Sequence, residues 1–159
     1  EIRLSLVGSE MCIRDSTGPL NMAQRSLMGV PFKDKGDKGF SNIVIWADNP
    51  KGPWSEPIEL GVYGLFDPGH IIDQDGNRYL FFNKGMMIKL APDGLSVEGD
   101  LKVVYDGWDP PAGWVWECKC VEAPKLIHHN DYFYLACAEG GTSGPSTAHM
   151  EVILSLIHI

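Results

Sequence analysis

No segment of this sequence returns its apolar residues with a sustained helical period, which removes helical bundles and doubly wound α/β folds from consideration. No apolar run approaches the roughly 18 residues that a membrane-crossing helix needs. A basic stripe is also missing. Thirteen Lys and Arg are scattered among twenty-one Asp and Glu, for a net charge of −8. That balance gives neither nucleic acid nor an anionic membrane surface a reason to bind, while a neutral partner such as a sugar fits it. Cysteine is scarce, with four in 159 residues. Cys118 and Cys120, two apart on a strand-like stretch, are spaced for neither an unstrained disulfide nor a CxxC metal site. They and Cys137 are therefore expected to be reduced structural thiols. GGTSGPSTAHM (140–150) is glycine-rich but lacks the Lys-Ser/Thr pair that opens a phosphate-binding helix. DQDGN (73–77) lacks the glycine and glutamate of a calcium loop, holding Arg78 and Lys84 at those positions, and reads as a hairpin turn. His128 and His129 fall in a second turn, where adjacent side chains diverge rather than share a metal.

Eighteen glycines, eleven prolines, five tryptophans, five tyrosines and six phenylalanines favour strands and tight turns. FSNIVIWAD (40–48) is a β-rich run stopped by the NPKGPW turn cluster. GHIIDQDGNRYLFFN (69–83) is a hairpin whose apolar arms flank Asp75-Gly76. MMIKL (86–90), DLKVVYD (100–106) and the hairpin APKLIHHNDYFYLACAE (123–139), turning at Asn130-Asp131, continue the pattern, and Met150 to Ile153 add one more strand. The chain reads as all-β.

The two ends stand apart. EIRLSLVGSEMCIRDS (1–16) and LSLIHI (154–159) resemble adapter-derived read-through rather than native sequence, and neither is expected to pack on the β core. The native domain is accordingly placed at 17–153.

An internal repeat carries the most information. Moving DPGHIIDQDGNRYLFFNKG (67–85) forward by 55 residues lays it without a gap on EAPKLIHHNDYFYLACAEG (122–140). Asp67 falls on Glu122, Ile71 on Leu126, Tyr79 on Tyr134, Leu80 on Leu135 and Gly85 on Gly140. A period near 50 residues with several strands per unit predicts a β-propeller, whose innermost strands line a shared axis. Asp67 and Glu122 would then face one pocket. Taken singly, Asp67 could cap the turn before Pro68 and Glu122 could pair with a lysine such as Lys119. Repeat equivalence favours a shared site, and two carboxylates at one pocket suit glycoside hydrolysis, in which an acid protonates the leaving oxygen and an ionised carboxylate activates water.

DPGHIIDQDGNRYLFF, VEAPKLIHHNDYFYLACAEGGT, the closing AHM and the GPW turn within KGFSNIVIWADNPKGPWSEPIEL resemble glycoside hydrolase family 43, five-bladed propeller enzymes that act on xylan and arabinan side chains and oligomers. The resemblance covers about residues 20 to 153 and implies a partial five-bladed β-propeller: the end of blade 1, then blades 2 and 3. It also implies an inverting β-xylosidase or α-L-arabinofuranosidase type of activity on plant-wall pentosans. By position, Glu122 matches the general acid and Asp67 the aspartate that orients that acid and modulates its pKa. His149 matches a histidine supporting the pocket floor, which in some members holds a central calcium through water. No cofactor is otherwise implied, and the partner is an oligosaccharide or polysaccharide. The usual Glu-Gly-Pro reads Glu122-Ala123-Pro124, a substitution tolerable without strain only if the backbone angle there is negative. The family's general base, an aspartate, would fall near position 12 by the 55-residue period; Asp15 lies close by but belongs to the read-through-like end and is not assigned. Two other readings remain, a non-catalytic sugar-binding propeller and a related retaining five-bladed glycosidase. Trp108, Trp114 and Trp116, on a Pro-Pro loop ahead of Glu122, suit sugar stacking and loop packing equally.

Overall fold

The computed structural model describes residues 26–34, 40–48, 51–141 and 150–156. Among them are ten strands: β1 (Ser26–Asp34), β2 (Phe40–Ala47), β3 (Ile58–Tyr63), β4 (Gly69–Ile72), β5 (Arg78–Phe82), β6 (Met86–Leu90), β7 (Val97–Val103), β8 (Val121–His129), β9 (Tyr132–Glu139) and β10 (Met150–Leu156). They form three antiparallel sheets, in the orders β1-β2-β3, β4-β5-β6-β7 and β10-β9-β8. The middle sheet is a complete four-stranded blade whose spatial order follows the sequence, as a propeller requires.

Strand periodicity explains how the sheets stack. Successive side chains of β5 point to opposite faces. Leu80 and Phe82 enter a core shared with Val44 and Leu60 of the first sheet, and Tyr79 and Phe81 enter one shared with Leu126 and Leu135 of the third. RYLFF is therefore buried at every position, unlike a strand with one wet face. Each such Leu or Phe contributes about 1.5–3 kcal/mol of transfer free energy. The middle blade is thus clamped between its neighbours, and β4 lies against β8.

Both expected hairpins are present. The first turns through Asp73, whose Oδ1 accepts the N–H groups of Asp75 (2.9 Å) and Asn77 (2.8 Å). This is an Asx-type turn. The second turns at Asn130, which adopts φ 54°. Two strands were not legible as such: β1, interrupted by Pro31, and β3, directly after the proline-rich turn. DLKVVYD is displaced. β7 begins at Val97 and ends at Val103, because the Val104 and Tyr105 N–H groups leave the sheet for the Gly85 carbonyl.

Two expectations are corrected. Cys118 and Cys120 are joined in a disulfide with Cα atoms 5.2 Å apart, and only Cys137 is a free, buried thiol. The reason is local: residues 107–120 are loop, so two-apart side chains are not held at the spacing of about 6.6 Å that a strand imposes. At the C-terminal end, β10 continues past Ile153, pairing Leu154 with Leu135, Ser155 with Tyr134 and Leu156 with Phe133. MEVILSL keeps its β character through those residues, so the expectation of no packing fails over 154–156. Residues 1–16 and 157–159 lie outside the described residues.

Candidate active site

Asp67 sits in the turn between β3 and β4 at φ 56°, a left-handed angle that Asp tolerates better than most residues. The preceding residue fixes the turn. Phe66 N–H donates to Asn83 Oδ1 (3.0 Å), and Asn83 N–H donates back to the Phe66 carbonyl (3.0 Å). Asn83 is 3% exposed, so this reciprocal pair is well shielded from water. One residue later the Asp67 carboxylate is free to reach away from its own blade.

Glu122 lies in the first turn of pleat of β8, opposite Ala138. The register then slips: Glu122 pairs with Ala138 but Lys125 with Ala136, so one extra residue is inserted on β8. This is a β-bulge, a device that re-aims a side chain. Ala123 occupies it at φ 48°, so the alanine stands where a glycine would be unstrained. The condition for a cost-free substitution is not met.

The two blades meet at this point. Ala123 N–H donates to Asp67 Oδ2 at 3.1 Å, across 56 residues of sequence. Two residues further on, a Cβ placed on Gly69 would come within 2.5 Å of the Pro124 carbonyl. Only glycine lets β4 approach β8 this closely. Asp67 and Glu122 thus lie at the starting ends of adjacent strands of successive blades, Asp67 exposed and Glu122 half-buried. Lys119 does not occupy Glu122; it pairs with Asp109 (3.1 Å) and Asp106 (3.5 Å).

Beneath Asp67, His70 and Arg78 form a buried pair on β4 and β5, with Arg78 Nη1 donating to His70 Nε2 at 3.4 Å. Arginine has no acceptor, so Nε2 must be the unprotonated nitrogen. Burial, reinforced by the Arg78 charge, pushes the imidazole down to about 4. Beside Glu122, the buried Glu139 accepts the Trp108 N–H at 2.8 Å. Burial and the Glu139 carboxylate push the Tyr105 phenol well above its ordinary value.

His149 lies outside the described residues, as does the region near position 12 where a general base is expected. Among the described residues no three His, Cys, Asp or Glu side chains converge into a metal-binding group, and the histidine expected to hold calcium through water lies outside them. Sequence reasoning missed Gly69, Asn83 and Glu139. Gly69 and Glu139 stood inside the quoted motifs, in DPG and EGGT, but only the inter-blade contacts give them a task. Asn83 carried no signal, since its repeat partner is Ala138.

The model of glycosyl hydrolases family 43 matches residues 24–156. A xylan 1,3-β-xylosidase of a Vibrio species is 37% identical over 113 residues, covering 64% of this chain and 19% of the relative. A non-reducing end α-L-arabinofuranosidase of Bacteroides ovatus is 32% identical over 133 residues, covering 80% and 22%. The chain therefore spans about a fifth of the length of these relatives. Among solved structures, a xylan β-1,4-xylosidase from Bacillus halodurans superposes with a TM-score of 0.58 at 25% identity, over 85% of this chain and 25% of that one. With the family model spanning most of the sequence and three stacked sheets in propeller order, this chain belongs to glycosyl hydrolase family 43.

Proposed function

We propose that this chain supplies the acid half of the catalytic centre of an inverting glycosidase that releases xylose or arabinofuranose from plant-wall pentosans. The observation that carries the reading is the Asp67–Ala123 hydrogen bond, which joins two carboxylate-bearing strand ends of successive blades. Relatives named as xylosidases and arabinofuranosidases support the substrate class. In this reading Glu122 is the general acid: its proton passes to the leaving oxygen as the glycosidic bond breaks. Asp67 is a positioning residue. By holding the Ala123 N–H it fixes the bulge, and with it the direction of the neighbouring Glu122. A third carboxylate, from another blade strand, takes a proton from the water that attacks the anomeric carbon from the opposite face. His149 supports the pocket floor.

The test uses a full-length enzyme carrying this segment. Glu122→Gln should abolish turnover of xylo- or arabino-oligosaccharides, whose leaving groups need a proton, and spare activated aryl glycosides, whose leaving groups depart without one. NMR of the first-formed sugar should show an inverted anomeric centre. Oligosaccharide turnover at the unmutated rate in Glu122→Gln, or a retained anomeric configuration, would sink the assignment.

A further inference from the structure

We propose that the loop joining β7 to β8 is a second carbohydrate-binding surface, on which Trp108, Trp114 and Trp116 stack the sugars on the leaving-group side of the bond being cleaved. The proposal rests on the reading of Glu122 as the acid. The sequence left stacking and packing undecided, and the exposures within this segment favour stacking. Trp108 is 42% exposed, Trp114 44% and Trp116 38%, whereas Trp46 and Trp54 are half-buried. The chain's exposed indoles, among the described residues, are gathered on one loop.

Position gives the surface its task. The loop leaves the outer strand of one blade and enters β8 immediately before Glu122, so it lies at the same end of the sheets as the candidate acid. An acid that protonates the leaving oxygen faces the leaving group, and a loop flanking that acid flanks the leaving group too. The loop is also held at several points, as a preorganised platform must be. Buried Glu139 accepts the Trp108 N–H (2.8 Å), Glu117 N–H donates to the Gly140 carbonyl (3.1 Å), and Lys119 ties Asp106 and Asp109 together. The Cys118–Cys120 disulfide closes its last turn.

Trp108 and Trp114 meet edge to face, with centroids 5.9 Å apart and planes at 77°. This arrangement sets two indole planes nearly at right angles, a corner that can receive the C–H face of a sugar ring against the negative π face.

The experiment compares, in a full-length enzyme carrying this segment, xylotetraose with xylosyl fluoride, whose leaving group is a single atom that does not reach the platform. Trp108→Ala and Trp114→Ala should each raise KM for xylotetraose about tenfold and change KM for xylosyl fluoride far less, with Tyr in place of either Trp restoring most of the loss. Equal losses on both substrates, or no change on xylotetraose, would overturn the platform. Binding of xylotetraose to the Glu122→Gln background, followed by tryptophan fluorescence, separates this proposal from the catalytic one. If no pentoside is cleaved by the unmutated enzyme yet binding weakens on Trp114→Ala, the catalytic reading fails and the platform stands. If cleavage is normal and the Trp variants bind unchanged, the platform fails alone.

Discussion

The Asp67 carboxylate is hydrogen-bonded to the backbone N–H of Ala123, the residue that follows Glu122. Both ends of this bond are in left-handed conformations, at φ 56° and 48°. The turn that presents Asp67 and the bulge that presents Glu122 are therefore two distorted backbones locked to each other. Each carboxylate's direction depends on the neighbouring blade.

Ala123 stands in that bulge against its own preference. A left-handed angle costs an L-residue about 1–2 kcal/mol, partly offset in glycine by the larger entropy of its unfolded chain. Ala123→Gly should therefore raise stability by about 0.5–1 kcal/mol, measured by urea unfolding at constant m-value. A loss of stability would show that the methyl group makes a packing contact that outweighs the backbone strain.

Gly69 should tolerate no side chain at all. A Cβ there would press on the Pro124 carbonyl, which is backbone and cannot swing away, and would also approach Leu126. Gly69→Ala should cost about 1–3 kcal/mol by overpacking and should separate β4 from β8. Faster hydrogen exchange at the Ala123 amide would report that separation. An unchanged exchange rate in a folded variant would mean that the blades can slide apart without breaking the Asp67 contact.

Much of this arrangement could be read from the amino acids, because a propeller repeats. The ungapped match of Asp67 to Glu122 puts both residues at the starting ends of strands in successive blades, since a repeat returns equivalent positions to equivalent places. The hairpins at Asp75-Gly76 and Asn130-Asp131 were legible from turn chemistry. What could not be read were features fixed between blades. The close approach at Gly69 and the burial of Glu139 depend on contacts distant in sequence. The Cys118–Cys120 disulfide is hidden because the strand-like composition of its segment masks a loop. The left-handed angle at Ala123 arises from a bulge that no local pattern announces.

The buried His70 makes the fold sensitive to mild acid. Its pKa is near 6.5 when unfolded and about 4 when folded, lowered by burial and then by Arg78. Between those values the unfolded chain binds a proton that the folded chain does not. The contribution is thus complete above about pH 6.5 and is lost as the pH falls toward 4, reaching about 3 kcal/mol at most. Thermal melts should show the midpoint dropping from about pH 7 to pH 5, and a folded His70→Asn variant should show a shallower drop. Parallel curves for the two proteins would mean that His70 is protonated in the folded state.

Asp67 offers a way to separate position from charge. Asn retains an oxygen that can accept the Ala123 N–H, whereas Ala removes both the acceptor and the negative charge. The contact is solvent-exposed, so its loss should cost only about 0.5–1.5 kcal/mol of stability. Its effect on turnover should be larger if Glu122 is the general acid proposed above, because that acid must meet the leaving oxygen in a narrow geometry and a misplacement of about 1 Å can cost around a hundredfold. In a full-length enzyme carrying this segment, Asp67→Ala should therefore lower kcat on oligosaccharides well beyond its effect on activated aryl glycosides, with little change in KM. Asp67→Asn should keep the Ala123 amide protected from exchange and retain more of the turnover than Asp67→Ala. If Asn and Ala are equally impaired while the amide stays protected in Asn alone, the hydrogen bond is not what Asp67 contributes, and its charge must act on the reaction directly.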